Sequence, residues 1–305
     1  MEIYRIGPKL EVIQGPLAPG DRALVLLTTQ EMEHPPQLTG LENVIRHIPS
    51  AQGARGCRVE ARRDCLSGTV ITPRHTRAGL PIAFGFLLTS NLLVLCDDSE
   101  VIPALVHRLS KEGRWQENGP GRLLCQLLEL LLSKDAHHME ELEDQLSQLE
   151  EQVLSGRLDQ FTAPISGLRR ELMHWSRYFS QLGNVADTLE EDDWGLFTEE
   201  ESRLFHMLSR RLGRLRDDAQ LLREYCLQVR ELFQTQVDLR QNKIMKTLTL
   251  VTTLCLPLSL VAAWYGMNFT GMPELSWKYG YPAVIAASIL IVIACLWIMK
   301  RKKLW

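Results

Sequence analysis

Two stretches near the C-terminal end of the chain carry no charged residue. Thr247 to Pro273 reads TLTLVTTLCLPLSLVAAWYGMNFTGMP, and Tyr279 to Met299 reads YGYPAVIAASILIVIACLWIM. A bilayer-spanning helix needs about 20 predominantly apolar residues. Thr247–Trp264 nearly supplies that length, and the second run supplies it fully. A core helix of a soluble protein normally keeps a polar face, so the pattern predicts two membrane helices rather than a buried helical hairpin. Arg240, Lys243 and Lys246 precede the first, Lys300, Arg301, Lys302 and Lys303 follow the second, and the link between them holds only Glu274 and Lys278. The positive-inside rule then puts both termini in the cytoplasm and the link outside. Trp264, Tyr265, Trp277, Tyr279 and Tyr281 gather at the outer ends, where interfacial aromatics belong.

The preceding 240 or so residues show soluble periodicities. Short β-rich runs at Ala23–Thr28, Cys57–Ala61, Gly68–Thr72, Ile82–Thr89 and Leu92–Cys96 predict strands, the last two joined by a hairpin turn at Ser90-Asn91. Helical patterns interleave at Leu41–His47 and Glu100–Ser110. Residues 1–130 therefore read as an α/β domain, and the chain as an α+β domain followed by helices. After Gly121 helix dominates. Met139, Leu142, Leu146, Leu149 and Val153 recur at spacings of three and four, a coiled-coil seam. The other faces carry Glu140, Glu141, Glu143, Asp144, Glu150 and Glu151, and a second acidic stretch, Glu190–Asp193 with Glu199–Glu201, surrounds a turn near Trp194-Gly195. Such faces are ordinarily solvated; beside a pore they would gather cations. From Leu215 there is no proline until Pro257 and no glycine until Gly266, which predicts one helix of some 50 residues, about 75 Å long. The resulting division is 1–130 α/β domain, 131–243 helical region and cytoplasmic stalk, 244–268 stalk continuation and first membrane helix, 269–280 outer loop, 281–299 second membrane helix and 300–305 basic tail.

Composition changes this picture little. The 305 residues are 45% hydrophobic and 23% charged, ordinary for a folded chain, and the net charge of −3 gives no argument for nucleic acid. Seven single cysteines without a CxxC pair make neither a disulfide framework nor a zinc site, and point to a reducing compartment. Met1–Arg5 lacks the basic start and apolar core of a signal peptide. The chain contains no GxxxxGK phosphate loop, and no pairing of nucleophile and base argues for hydrolysis. The His137-His138 pair reads as surface residues. An enzyme is not expected, and no cofactor is called for.

Two membrane helices cannot enclose a conduit, so transport would require an oligomer with one helix per subunit on the axis. The first helix is the better candidate. Met245, Leu248, Thr252, Leu256 (or Cys255), Ser259, Ala262 and Gly266 share a face, with hydroxyls and small residues the second helix mostly lacks. The same residues also suit ordinary membrane-helix packing.

At the outer end of that helix stand Trp264-Tyr265-Gly266-Met267-Asn268-Phe269 and then Gly271-Met272-Pro273-Glu274-Leu275. YGMNF followed by MPEL, between two C-terminal membrane helices, resembles the CorA family of magnesium and divalent metal ion transporters. Asn242–Thr249 resembles the family's approach to the membrane, and Pro257-Leu258-Ser259 its mid-helix Pro-Leu-Thr, over about 65 residues in all. The resemblance implies a funnel-shaped homopentamer in a bacterial-type inner membrane: a cytoplasmic α/β domain, a long stalk helix and a pore lined by the first membrane helix. Gly266, Met267 and Asn268 would form the selectivity filter, with Met267 mainly structural, and Glu274 would concentrate cations in the outer loop. Ser259, Leu256, Thr252, Leu248 and Met245 would face the axis, Leu248 and Met245 as a hydrophobic constriction, with Asn242 a polar ring at the exit. Lys300, Arg301, Lys302 and Lys303 would form a cytoplasmic basic ring. Asp97, Asp98, Asp217, Asp218 and Glu231 are the candidates for a regulatory metal.

The chemistry suits such a filter. Mg²⁺ prefers octahedral oxygen ligands and gives up water reluctantly. A ring of Asn268 carbonyls can hydrogen-bond the hydration shell without stripping it, whereas carboxylates would hold the ion and slow its exit. Asn also suits a helix C-cap, a compatible role. Mg²⁺ is the expected cargo and a possible regulatory ligand; Co²⁺ and Ni²⁺ are alternatives, and a zinc-transporting branch exists. A membrane-anchored coiled-coil scaffold or sensor is the rival reading. It accounts for the long helix and acidic faces, but not for YGMNF and MPEL.

Overall fold

The computed structural model describes residues 1–13, 15, 17, 20–33, 48–50, 54–73, 82–111, 119–159, 161–192, 195–267, 272 and 277–301. The chain divides into two compact units, one of Met1–Glu151 with Asp159–Val229, the other of Gln152–Leu158 with Arg230–Trp305.

In the first unit, strands β1 (Glu2–Ile6), β2 (Leu10–Val12), β3 (Ala23–Leu27), β4 (Arg58–Arg62), β5 (Cys65–Ile71), β6 (Ala83–Leu88) and β7 (Leu92–Asp97) form one sheet. Their order is β2-β1-β3-β7-β6-β5-β4. β3 and β7 pair in parallel, Val25 opposite Val94, and the other pairs are antiparallel. These two central strands, ALVLL and LLVLCD, are buried at every position, as strands covered on both faces must be. Edge strand β4, RVEAR, is largely exposed, and its charges discourage pairing with other chains. The expected hairpin turn is present: Thr89 N–H donates to Leu92 O at 2.8 Å. β1 and β2 go beyond the expected strands, and the predicted helix Leu41–His47 lies outside the described residues.

Helix α1 (Thr29–Glu33) follows β3 and α2 (Val101–Lys111) follows β7. Helix α3 (Pro120–Leu154) starts with proline at its first position, where the missing N–H costs nothing. It stops at Gly156, whose φ of 76° lets the chain close on Val153 O at 3.0 Å. The seam Met139, Leu142, Leu146, Leu149 and Val153 is buried as its spacing predicts. Helix α4 spans Thr162–Glu191, and Asp192 turns the chain after it, accepting from Leu196 N–H at 2.7 Å and Phe197 N–H at 2.9 Å. So one acid of the predicted acidic stretch serves the turn itself.

Helix α5 runs from Glu199 to Tyr265, starting well before the expected Leu215. Its buried stripe Phe205, Leu208, Leu212, Leu215, Ala219, Leu222, Cys226 and Val229 keeps helical spacing straight past Gly213. Tertiary burial overrides the weak breaking effect of one glycine. The start is set by a capping box: Thr198 N–H donates to Glu201 Oε2 at 3.1 Å, and Glu201 N–H to Thr198 Oγ1 at 3.3 Å. The Glu201 carboxylate, 4% exposed, also accepts from Arg122 N–H in the first turn of α3, at 3.2 Å. One buried acid thus serves the starts of two helices. Gly121 is required beside it, because a Cβ there would stand 2.9 Å from Glu201 Oε1 and 3.1 Å from Phe197.

In the second unit, α6 (Gly280–Arg301) is the other apolar helix. The most apolar windows of α5 and α6 have mean hydropathies of 1.7 and 2.6, and 0% and 6% of their residues are buried. Soluble core helices hide such surface; these present it outward, as membrane helices do.

Replacing Glu201 by Ala removes acceptors from both helix starts and is expected to cost about 2–3 kcal/mol. Denaturant unfolding in detergent, followed by far-ultraviolet circular dichroism, measures this, with Gly121→Ala shifted in the same direction.

Candidate functional site

Among the described residues, the candidate site is the C-terminal part of α5. Asn242, Met245, Leu248, Thr252, Leu256 and Ser259 follow one another at steps of three and four and are all exposed. Leu256 is 70% exposed, the highest of the apolar members. Helical spacing therefore sets the predicted pore positions on one face, and the other faces of this stretch are largely exposed as well. The threonine hydroxyls turn back onto their own helix: Thr249 donates to Met245 O at 2.8 Å, Thr252 to Leu248 O at 2.9 Å and Thr253 to Thr249 O at 2.7 Å. Their donors are thereby satisfied without water, while each oxygen keeps acceptor capacity.

Pro257 has no N–H to give to the carbonyl one turn earlier, that of Thr253. The Cys295 thiol of α6 lies 3.9 Å from that oxygen as a weak donor. Sequence reading did not single out Cys295. The signal was available, since every helical proline frees the carbonyl four residues before it; which side chain answers is a matter of packing.

At the outer end Gly266 N–H donates to Ala262 O at 2.9 Å and Met267 N–H to Trp264 O at 3.4 Å. The helical bond pattern thus reaches Gly266, and Met267 continues it as a turn with its side chain 41% exposed. Asn268, Glu274, Lys302 and Lys303 lie outside the described residues. Trp264, Trp277, Tyr279 and Tyr281 are exposed, as interfacial anchors would be. At the far end of α6, Lys300 is exposed and the Arg301 guanidinium sits 5.4 Å over the Trp297 ring.

The candidate regulatory acids are not gathered. Asp97 is 5% exposed; its Oδ1 accepts from Ser99 N–H at 2.8 Å and its Oδ2 from Ile102 N–H at 2.9 Å, capping α2. Asp98 accepts from Thr29 N–H at 2.8 Å and Thr29 Oγ1 at 2.7 Å, at the start of α1. Asp217 pairs with the Arg216 guanidinium at 3.2 Å and, with Asp218, Arg211, Arg214 and Leu215, lines a shallow surface hollow. Glu231 is exposed on α5. Among the described residues no group of three or more His, Cys, Asp or Glu is disposed to hold a metal. Burial pushes the Cys57 and Cys226 thiols up to about 11 and Cys125 to about 12, so these sulfurs stay protonated and poor as metal ligands. His138, read from sequence as a surface residue, is instead buried.

Residues 58–301 match the family model described as CorA-like Mg2+ transporter protein. This chain belongs to that family. The cobalt/magnesium transport protein CorA of Thermotoga maritima is 29% identical to this CorA-family chain over 181 residues, 59% of the chain and 52% of the relative. The chain spans about half the length of the first curated relatives it matches. The complete structure of the CorA magnesium transporter from Methanocaldococcus jannaschii superposes with a TM-score of 0.80 at 23% identity, covering 98% of this chain and 97% of that one. The cytoplasmic domain of ZntB from Vibrio parahaemolyticus gives 0.61 at 13% identity, covering 78% of this chain and 98% of that one. At these identities the likeness is one of fold. The fold likeness takes in β1, β2 and β3, which lie ahead of the residues matched by the family model.

The acids can be sorted by stability. Asp97→Ala is expected to cost about 1–3 kcal/mol through lost buried capping, whereas Asp217→Ala, exposed on α5, should change stability by no more than about 0.5 kcal/mol. Denaturant unfolding of the two variants side by side checks this.

Proposed function

We propose that this chain carries divalent cations across a membrane as a channel-like homopentamer, with the outward stripe of α5 lining the axis. The observation that carries the proposal is that stripe: exposed, periodic, bearing hydroxyls, and leading into YGMNF in a CorA-family fold. One subunit has too few membrane helices to surround an ion, and five copies presenting the same stripe would. Transport rather than catalysis follows, with no cofactor beyond the cation.

In this reading Asn268, with the backbone of Gly266, contacts a hydrated ion at the outer mouth, Met267 holds the turn, and Glu274 raises the local cation concentration. Ser259 and Thr252 offer hydroxyl oxygens, and Leu256, Leu248 and Met245 form apolar rings that close by dewetting. Asn242 lies at the cytoplasmic exit, with both termini inside. Lys300, Arg301, Lys302 and Lys303 ring the pore there and repel cations. The exposed Asp217, Asp218 and Glu231 are open to a regulatory Mg²⁺; Asp97 and Asp98 would have to give up helix-capping bonds to join them. The segments 1–130, 131–243, 244–268, 269–280, 281–299 and 300–305 are proposed to act as sensor domain, stalk, pore helix, outer loop, outer helix and basic tail.

Mg²⁺ is the proposed cargo, with Co²⁺ and Ni²⁺ able to share the path, since carbonyl and hydroxyl oxygens suit a hydrated hard cation. Zinc is the second reading, supported by the fold likeness to the ZntB domain. The membrane potential suffices as the driving force: about 4.6 kcal/mol per divalent ion at 100 mV, an accumulation of roughly three decades.

In proteoliposomes at fixed inside-negative potential, Mg²⁺ entry is expected to follow the voltage. Asn268→Ala should abolish entry or its selectivity while leaving assembly intact. Zn²⁺ entry without Mg²⁺ entry would keep the architecture and change the cargo. No flux of any ion from assembled oligomers would leave the scaffold or sensor reading.

A further inference from the structure

His137 and His138 are neighbours on α3, yet the helix sends them to different faces. The His137 side chain is 73% exposed and that of His138 only 7%. The His138 ring is held between α3 and α4, its centroid 5.1 Å from that of Trp175. Nδ1 lies 3.1 Å from Glu141 Oε2, one turn further along α3. Nε2 lies 2.9 Å from Glu171 Oε1 on α4. Both ring nitrogens therefore face carboxylates.

That arrangement discriminates between protonation states. A neutral imidazole has one N–H and one lone pair, so it can donate to one carboxylate while setting its lone pair against the other. The imidazolium donates to both. The hydrogen bond to Glu171, joined by the bond to Glu141 and the charge of both acids, raises the pKa above the ordinary 6.5, although burial pulls the other way. Around this cluster stand His137, whose Nε2 lies 3.7 Å from Glu141 Oε1, Asp135 on α3, Tyr178 on α4 and Cys57 ahead of β4. Burial, and then the nearby Asp135, push the Tyr178 phenol well above its usual range, and burial pushes the Cys57 thiol up to about 11. Neither gives up its proton near neutrality.

We propose that His138 is a proton-operated latch between α3 and α4: the imidazolium ties the two helices through Glu141 and Glu171, and loss of its proton releases them there. Because the folded pKa is raised, the latch contributes fully below about 6.5 and fades as pH rises through the raised value. Release leaves Glu141 and Glu171 without their shared counter-charge. Glu140, Glu143 and Asp144 already make this part of α3 acidic and exposed, so repulsion adds to the loosening. The device makes the helical part of the first unit responsive to pH, apart from any cation it carries.

The test uses the full chain in lipid nanodiscs, labelled with 5-fluorotryptophan, the Trp175 resonance being identified by Trp175→Phe. In the wild type that resonance is expected to titrate with a midpoint above 6.5. Glu171→Gln should bring the midpoint down, and His138→Gln should flatten the titration. Hydrogen exchange, corrected for its intrinsic pH dependence, should show protection around His138 and Glu171 falling by up to about tenfold per pH unit between 6.5 and the midpoint and levelling off above it, and no such loss in His138→Gln. A Trp175 midpoint at or below 6.5 overturns the latch. So does wild-type protection that stays flat through the midpoint, or a midpoint unmoved by Glu171→Gln.

Discussion

Hydrocarbon offers a backbone no hydrogen-bond partner, and that constraint governs the apolar C-terminal helices of this protein. A chain that crosses a bilayer must satisfy its own N–H and C=O groups, and a helix does so residue by residue. α5 meets the demand over its apolar stretch and pays out its side-chain polarity sparingly. Threonine hydroxyls fold back onto carbonyls of the preceding turn, and the one carbonyl that Pro257 strips of its partner faces the Cys295 thiol. What remains on the outside is a face of exposed side chains at helical spacing, mostly apolar with a few oxygens. The apolar surface of α5 and α6, outward rather than buried, follows from the same solvent.

In the first unit water changes the role of charge. Acids that are buried or half-buried there work as backbone acceptors. Glu201 holds the starts of α3 and α5, Asp97 caps α2, and Asp192 shapes the turn after α4. Each is an acidic residue that composition alone would count toward a cation-attracting surface. Hydrogen bonds to ionised groups contribute more than neutral ones, and leaving their donors unpaired is costly. An acid in such a role is therefore poorly placed to exchange its partners for a metal. The exposed acids of α5, Asp217, Asp218 and Glu231, carry no such obligation to a helix end.

His138 joins these themes. Its two carboxylate partners sit on different helices, so its proton count bears on how α3 and α4 hold together. On an acidic helical surface a bound proton is itself a charge that sets the local electrostatics. The imidazolium lowers the net negative charge where Glu140, Glu141, Glu143 and Asp144 crowd together.

Two long apolar helices, their basic flanks and the YGMNF run could be read from the sequence alone, because these are local properties. Twenty uncharged residues in a row, a basic flank or YGMNF can be read without knowing what lies nearby in space. The coiled-coil seam from Met139 to Val153 was legible for the same reason: period is a one-dimensional quantity. Tertiary structure decided the rest. The parallel pairing of β3 with β7 joins residues that are far apart in sequence, and Thr29 meets Asp98 across 69 positions. The start of α5 depended on Glu201 reaching α3, which outweighed Gly213. Two adjacent histidines look alike in a sequence; a helix turns about 100° per residue, and only the packing of α4 against α3 determined that His138, rather than His137, would be enclosed.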